Sequence, residues 1–413
     1  MKIDIKKIDL NILIIFFMTL QMASIGFFMA LSSVSLAAWV LLWGFKVFRE
    51  KDTSTFRFLF KEYKFVLIFV AGYVFVELLS RIFAVFPDEA LIGIKRYLLV
   101  LVFFANPGII KSKESILKYL TIILTVFSLL SCVELYKFAV NLSSNLLTTS
   151  FAEIRIDYFS YPITNAEMKM LLLMTTLPFL ISKKTYNISK RYLVIILLPL
   201  VISLFLTQSR NVYLAVFTSL LVYGIFRNWK FLVSFVLFIS ICWVIAPDSV
   251  KDRTRSIFDL NHPSNKSRLV MWNVGMQVFK DHPVIGVGDN QITEVYKLYK
   301  KPESHGEGSH FHSNIVMILV TTGIAGFIMY LLFWVSLFYY TVKDYRKSTE
   351  EFDRALLWGI ILSMISFNIS GIFEWNFGDW EVVTLLYYII SLIFVLKYIN
   401  LNKLTNDGKR KII

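Results

Sequence analysis

Long apolar stretches dominate this sequence of 413 residues, and their length restricts what the chain can fold into. An α-helix needs about 20 mainly apolar residues to cross the ~30 Å hydrocarbon core of a bilayer. A segment in lipid must also satisfy its own backbone hydrogen bonds, which favours helices. The sequence therefore predicts an all-α fold, a polytopic transmembrane bundle of about twelve helices. The stretches lie at residues 10–27, 29–45, 65–83, 95–110, 117–138, 166–182, 192–209, 212–226, 231–246, 314–340, 355–373 and 381–396.

The composition agrees with a multi-pass membrane protein. Hydrophobic residues make up 56% of the chain and charged residues only 17%, whereas a soluble domain carries about 25% charge. The net charge of +14 would fit a nucleic-acid partner, but the basic residues recur in alternate loops, as the positive-inside rule requires. We therefore predict cytoplasmic termini, membrane lipids as partners and no nucleic acid. The cytoplasmic basic residues include Lys46, Arg57, Lys118, Lys184, Lys230 and Lys347.

One long polar segment interrupts the apolar pattern. The predicted organisation is nine transmembrane helices at 1–246, a large loop at 247–311, three further transmembrane helices at 312–397 and a basic cytoplasmic tail at 398–413. Within the loop, helical spacing predicts an amphipathic helix, whose apolar face carries Leu269, Trp272, Met276 and Phe279. Asp281-His282-Pro283 should end this helix, and residues 286–290 indicate a turn.

Arginines in and beside the loop are candidates for binding an anion. Arg210 lies between two apolar stretches with almost no connecting loop, and Arg268 opens the amphipathic helix. A guanidinium group matches phosphate oxygens in a bidentate manner and stays charged when partly desolvated. The alternatives are an arginine that only extends to the membrane interface and a solvated loop arginine. Arg255, in the basic first part of the loop, is a further candidate for an anionic head group.

His310 and His312 stand just before the tenth apolar stretch and allow three interpretations. The first is a base for an acceptor hydroxyl, for which His312 is the candidate because it is closer to the rigid start of the span. The second is a metal site with His305 as a third ligand, although no carboxylate or cysteine completes a known spacing. The third is a structural role. Asn314 is a candidate to orient the imidazole or to contact sugar hydroxyls.

Glu374 belongs to an acidic turn before the last apolar stretch. Solvation at the interface is one interpretation, and holding an arginine or a sugar is the other. The candidate catalytic residues are thus His312, Arg210 and Arg268, with no metal ligand among them. The candidate substrate-binding residues are Arg210, Arg268, Asn314, His310, Arg255 and Glu374.

Taken in order, these motifs resemble the bacterial O-antigen ligase and polymerase superfamily of integral membrane glycosyltransferases. The resemblance covers roughly residues 160–390. The motifs are Thr207-Gln208-Ser209-Arg210, Arg268 with Trp272, Asp281-His282-Pro283, His310-Phe311-His312-Ser313-Asn314, Thr322-Gly323-Ile324-Ala325-Gly326 and Glu374-Trp375-Asn376.

The resemblance implies a glycosyltransferase of lipopolysaccharide biosynthesis in the bacterial inner membrane, with its active site on the periplasmic side. The implied donor is a glycan linked to undecaprenyl diphosphate, transferred with inversion and without a metal or other cofactor. Arg210 and Arg268 match the family's arginines that hold the diphosphate, and His312 matches the histidine required for transfer. We expect an O-antigen ligase, whose acceptor is the lipid A–core oligosaccharide.

Two other functions stay open at the level of the sequence. Ligases often have asparagine directly after the required histidine, and here Ser313 intervenes before Asn314, so a polymerase of O-antigen or another surface polysaccharide is the alternative. A transporter of lipid-linked sugars would carry ionisable residues inside its spans. It is the weaker hypothesis because charge within the predicted spans is sparse.

Overall fold

Helices account for nearly all the regular structure in the computed structural model, which describes residues 9–87, 93–145, 154–182, 189–246, 248–300 and 310–406. No β-strand occurs in these ranges, so the all-α prediction is confirmed. The helices of the first half are α1 (Leu10–Ser24), α2 (Met29–Glu50), α3 (Ser54–Ile82), a 3-10 helix (Ile94–Leu101), α4 (Val102–Ile109), α5 (Lys113–Asn145), α6 (Pro162–Ile181), α7 (Lys190–Leu206) and α8 (Arg210–Arg227). Those of the second half are α9 (Trp229–Ile245), α10 (Asp248–Arg255), α11 (Pro263–Asp281), α12 (Ile292–Tyr299), α13 (Asn314–Lys347), α14 (Glu351–Ser370) and α15 (Trp380–Asn406).

Six helices of the described chain are long and apolar enough to cross a membrane, namely α2, α3, α5, α13, α14 and α15. Each of the twelve predicted stretches falls on helical structure, but the other six are shorter, interrupted or more polar. α1, α7 and α9 have 15, 17 and 17 residues, and the stretch at 95–110 is divided between the 3-10 helix and α4. The chain is a multi-pass membrane protein, and the count of about twelve spans stays a prediction.

Charge inside the bundle is less sparse than the sequence suggested. Lys169 of α6 and Glu134 of α5 form an ion pair in which both side chains are 1% exposed. Asn165 and Ser203 also donate hydrogen bonds to the Glu134 carboxylate, at 2.5 Å and 2.6 Å. Burial of two charges is tolerated when each is paired and hydrogen-bonded. The argument against a transporter that rested on sparse charge is therefore weaker than the sequence indicated.

The long helix α13 is broken at Gly323, where φ is 62°. A segment of the loop, residues 283–288, lies in the break and replaces the hydrogen bonds that the helix loses there. Backbone groups that lack helical partners must find others inside a membrane protein, and this segment supplies them from its own main chain. The four bonds run from Val287 N to Val320 O (2.9 Å), Gly288 N to Thr321 O (3.0 Å), Ile324 N to Pro283 O (2.8 Å) and Ala325 N to Val284 O (3.2 Å).

Two glycines make this insertion possible. Gly286 (φ 70°) lies against the backbone of α13, and Gly323 lies against the backbone of the inserted segment. A Cβ on Gly286 would overlap the Val320 carbonyl, and a Cβ on Gly323 would overlap the Val284 carbonyl. Glycine is the residue that combines a positive φ with such close approach. The motif that contains Pro283 and the motif that contains Gly323 are thus two halves of one contact.

An ion-pair cluster holds the end of the inserted segment against α3. Asp289 Oδ2 accepts hydrogen bonds from Arg81 at 2.8 Å and from Arg96 at 2.7 Å. Glu77, one turn before Arg81 on α3, pairs with both arginines, and Arg81 also reaches Asn290 Oδ1 at 3.3 Å. Two arginines and two carboxylates balance in charge, so the cluster anchors the loop without leaving an unpaired buried charge.

The loop has its own hydrophobic core, which joins α11 and α12 to the first turns of α13. Its buried residues include Met271, Val274 and Val278 of α11, together with Phe311 and Val320. The predicted amphipathic helix is confirmed and ends at Asp281, as expected. The predicted apolar face is correct only in part: Trp272 packs against this core, but Leu269 is 42% exposed and the buried apolar side chains of α11 are Met271, Val274 and Val278.

Replacing Gly323 with alanine should weaken the junction between the loop and α13. A Cβ at this positive φ would displace the Val284 carbonyl, and we expect a loss of about 2–4 kcal/mol, seen as a lower melting temperature in detergent. Gly44→Ala is the matched control, since nothing lies within 4 Å of a Cβ at that position of α2. Equal melting temperatures for both variants and the parent would contradict this account.

Candidate functional site

Arg210 is the first residue of α8 and follows a tight reversal at the end of α7. Gln208 in this reversal has a φ of 53°, a left-handed conformation that costs a non-glycine residue energy and is often found at functional sites. Arg155 holds the reversal by donating hydrogen bonds to the carbonyls of Thr207 (3.1 Å) and Gln208 (3.0 Å). The position of Arg210 is therefore set by the backbone and by a second arginine.

Arg210 and Arg268 meet at the hydroxyl of Ser264. Arg210 Nη2 and Arg268 Nη1 each lie 3.0 Å from Ser264 Oγ. Arg210 also donates to the Ser256 carbonyl at 2.8 Å and contacts Asn265 Oδ1 at 3.3 Å. The loop thus brings together two arginines that are 58 positions apart in the sequence.

Both arginines line one cavity of about 250 Å³ between the ends of the bundle helices and the loop. Arg155 lines it as well, so three arginines border the same space. The remaining wall is mainly apolar, with Trp272 of α11 and Phe373 before α15, whose ring centroids are 6.3 Å apart. Other lining residues include Ile163, Leu214, Ile257, Leu260 and Leu269. A cationic, mostly apolar cavity favours an anion that carries an apolar or ring-shaped substituent.

His310, His312 and Glu374 form a compact group beside this cavity. Glu374 Oε1 lies 3.1 Å from His310 Nε2 and 3.0 Å from His312 Nδ1, and the two ring nitrogens are 3.1 Å apart. Arg268 links the group to the cavity, since its Nη2 lies 3.8 Å from Glu374 Oε2. His312 has a φ of 45°, a strained backbone conformation for a residue other than glycine. It lies two residues before the first residue of α13.

Glu374 is the electrostatic centre of the group. Burial alone would raise the pKa of this carboxyl, but hydrogen bonds from His310 and His312, and their charges, hold the pKa of Glu374 well below its usual range. Burial also lowers the pKa of Arg268, partly offset by the charge of Glu374. An arginine stays protonated in spite of such a shift, so the Glu374 carboxylate is an anion that faces one permanent cation, Arg268, and two imidazole rings.

The same three groups could hold a metal ion, because their ligand atoms all lie within 4.8 Å of one another. The sequence indicated no carboxylate to complete a metal site with His310 and His312. In the structure Glu374, 62 positions after His312, takes that place. The third ligand suggested from the sequence, His305, lies outside the described residues. The Arg268 guanidinium lies 3.8 Å from Glu374 and disfavours a second cation at this place, and we favour the hydrogen-bonded arrangement.

Four of the six predicted substrate-binding residues do not line the cavity: His310 and Glu374 belong to the group beside it, and Asn314 and Arg255 lie elsewhere. The Asn314 side chain is 2% exposed and bonds to Asn376 at 2.7 Å and to the backbone N–H of Phe377 at 3.1 Å. Arg255 is exposed and pairs with Asp252 at 3.1 Å. Asn314 is therefore placed to hold α13 against the turn before α15, and Glu374, not Asn314, contacts the His312 ring.

Sequence reasoning missed three polar residues around the site: Arg155, Ser264 and Glu167. Glu167 is fully buried in α6 and lies behind the cavity. A carboxylate inside an apolar stretch is a functional signal in membrane proteins, so Glu167 could have been noticed. Arg155 and Ser264 carry no comparable signal, because their importance depends on contacts across the fold.

Fold and site together define a multi-pass helical membrane protein with a cationic cavity next to a His–Glu group. Residues 194–331, about a third of the chain, match a family model described as O-antigen ligase. The match includes Arg210, Arg268 and His312, and it supports the O-antigen ligase superfamily, whose members are glycosyltransferase-like enzymes of polysaccharide biosynthesis. No curated protein matches the chain.

Replacing Glu374 with glutamine should destabilise the protein in a pH-dependent way. The folded-state pKa of Glu374 lies below the ordinary value of 4.5, so its stabilisation is fully present above about pH 4.5 and is lost as the pH falls through the folded value. We expect the melting temperature of the parent to exceed that of Glu374→Gln near pH 7, and the gap to narrow below about pH 4.5. A gap that stays constant down to about pH 3 would show that Glu374 is not held as an anion.

Proposed function

We propose that this protein is an O-antigen ligase, which transfers glycan from undecaprenyl diphosphate to the lipid A–core oligosaccharide at the periplasmic face of the inner membrane. The observation that carries the proposal is the convergence of Arg210 and Arg268 on Ser264 in one cavity. That cavity adjoins the His312–Glu374 pair through the contact between Arg268 and Glu374. An anion site next to a base is the arrangement that displacement of a diphosphate by a hydroxyl needs.

The arginines are suited to the departing diphosphate. A glycosyl diphosphate leaves as an anion, so the transition state gains negative charge on the phosphate oxygens. Preorganised guanidinium groups in a desolvated site stabilise such charge more than water does. The apolar wall, with Trp272 and Phe373, would contact the first sugar or the start of the polyprenyl chain. Cavity and charge together fit the head of the donor.

His312 is suited to activate the acceptor hydroxyl. When Nδ1–H of His312 donates to Glu374, the tautomer leaves the Nε2 lone pair free to accept a proton. The Glu374 carboxylate also stabilises the imidazolium that forms, as the aspartate carboxylate does in a Ser-His-Asp triad. The hydroxyl oxygen then bonds to the anomeric carbon as the bond to the diphosphate breaks on the opposite face, which inverts the anomeric configuration.

Replacing either Arg210 or Arg268 with lysine should reduce transfer strongly. Lysine keeps the charge but cannot make the forked pair of hydrogen bonds, and we expect a loss of about 10²-fold or more in kcat/KM. The measurement uses membranes with purified lipid-linked donor and lipid A–core acceptor. Arg255→Lys is the matched control and should stay active, because Arg255 does not line the cavity. Full activity of both lysine variants would overturn the anion role.

The same assay distinguishes the acceptor. A ligase should use lipid A–core, whereas product that grows only by addition to a second lipid-linked glycan would identify a polymerase and overturn the ligase proposal.

Replacing His312 with alanine should abolish transfer while donor binding is retained. The base acts on the acceptor hydroxyl, so its removal affects the chemical step and not the diphosphate contacts. Donor binding is measured by retention of labelled lipid-linked glycan on the purified protein, and transfer by product formation. Treatment with a chelator should leave the parent active. Loss of transfer on chelation, restored by zinc, would replace the base with a metal site at His310, His312 and Glu374.

A further inference from the structure

Three asparagines stand next to the three parts of the proposed site. Asn211 follows Arg210 directly, Asn314 comes two positions after His312, and Asn376 comes two positions after Glu374. All three side chains are at most 9% exposed. Each asparagine is within two positions of a functional residue, so the contacts that hold these amides also set the spacing between the functional groups.

The three amides lead to one carboxylate oxygen. Glu167 Oε1 accepts hydrogen bonds from Asn376 Nδ2 at 3.1 Å and from Asn211 Nδ2 at 3.5 Å. Asn314 joins through Asn376, since its Nδ2 donates to Asn376 Oδ1 at 2.7 Å. Within the described part of the chain, every hydrogen bond of the Glu167 side chain is made by Oε1, so its donors converge on one atom.

Ser370 closes the arrangement from the last turn of α14. Its hydroxyl donates to Glu167 Oε1 and accepts from Asn211 Nδ2 at 2.8 Å. Glu167 and Ser370 are both fully buried. The carboxylate thus connects α6, α8, α14 and the turn before α15 directly, and it connects α13 through one further bond.

We propose that Glu167 is a positioning residue that fixes Arg210, His312 and Glu374 relative to one another through Asn211, Asn314 and Asn376. This inference rests on the proposed function, for which it names the buried centre that holds the site in register. Glu167 itself lies behind the cavity and touches none of the three functional side chains, so its effect is on geometry.

The physical reason to expect a large effect is the sensitivity of transfer reactions to distance. A displacement of about 1 Å between reacting groups can cost about 10²-fold in rate. If Arg210, His312 and Glu374 had no common anchor, each could be displaced independently of the other two. A single buried acceptor reduces these displacements together, because Asn211 and Asn376 share one oxygen of Glu167 and Asn314 is bonded to Asn376.

The test compares Glu167→Leu with Glu167→Gln in the full-length protein reconstituted in vesicles. Leucine fills the space without an acceptor, and we expect kcat to fall by about 10–100-fold with a smaller change in KM for the donor. Glutamine keeps a carbonyl oxygen for the amides of Asn211 and Asn376 and for the Ser370 hydroxyl, so kcat should stay within about threefold of the parent. Melting temperature in detergent corrects each rate for the folded fraction.

Ser363→Ala is the matched control. Ser363 is fully buried on α14 and pairs with Thr175 of α6 at 2.8 Å, so it joins the same two helices away from the three amides. It should lower the melting temperature without changing kcat. The inference is overturned if Glu167→Leu keeps the parent's kcat, if its loss equals the loss of folded protein, or if Glu167→Gln is as inactive as Glu167→Leu.

A second measurement does not depend on activity. Spin labels at Phe217→Cys on α8 and Ile315→Cys on α13, both at exposed positions, report the separation of the two helices, with Cys132 and Cys242 replaced by serine. We expect one narrow distance distribution in the parent and in Glu167→Gln, and a broadened one in Glu167→Leu. If the parent transfers no glycan but the distance distribution is broader in Glu167→Leu than in the parent, the proposed function fails and the positioning role stands. An unchanged distribution in Glu167→Leu overturns the positioning role.

Discussion

The main-chain hydrogen bonds between residues 283–288 and the broken helix α13 are the interaction on which the rest of the site depends. They join a loop of about fifty described residues to a helix of the bundle without using side-chain recognition. Because the inserted segment directly follows α11, the bonds fix the end of the helix that carries Arg268. The ion pairs of Asp289 with Arg81 and Arg96 extend the same anchor to α3. The loop is therefore a structural part of the bundle.

Electrostatics divides the site into two regions with different tasks. Three arginines, Arg155, Arg210 and Arg268, line the cavity, whereas Glu374 is the carboxylate that contacts His310 and His312. The long contact between Arg268 and Glu374 lies at the border. An anion entering the cavity would therefore compete with Glu374 for Arg268 but not for Arg210. The charge of the ligand and the orientation of the His312 ring are coupled through one guanidinium group.

The sequence was most informative where a property belongs to a short segment. Apolar runs of sufficient length fell on helices, because burial in lipid is a local requirement, and Arg210 was recognised from its position at a tight reversal. Roles that depend on distant partners were harder to predict. Asn314 was expected to contact substrate, but its partner Asn376 is 62 positions away. Glu374 was expected to hold an arginine or a sugar, and it does pair with Arg268 at 3.8 Å, but its closest contacts are histidines. The buried face of α11 differs from the predicted one because its apolar residues are divided between two surfaces, the loop core and the cavity.

The anchored end of α11 makes that helix a lever. Arg268 lies 13 residues before Asp281, which at about 1.5 Å per residue is a distance of about 20 Å along the axis. A tilt of only about 3° around the anchored end would carry the Arg268 turn by about 1 Å, which is the scale that matters for reacting groups. Changes near Pro283 or Gly323 can therefore alter the cavity while leaving every cavity-lining residue unchanged. The mechanical stiffness of a backbone junction, and not only the chemistry of the lining, determines how accurately the anion would be held.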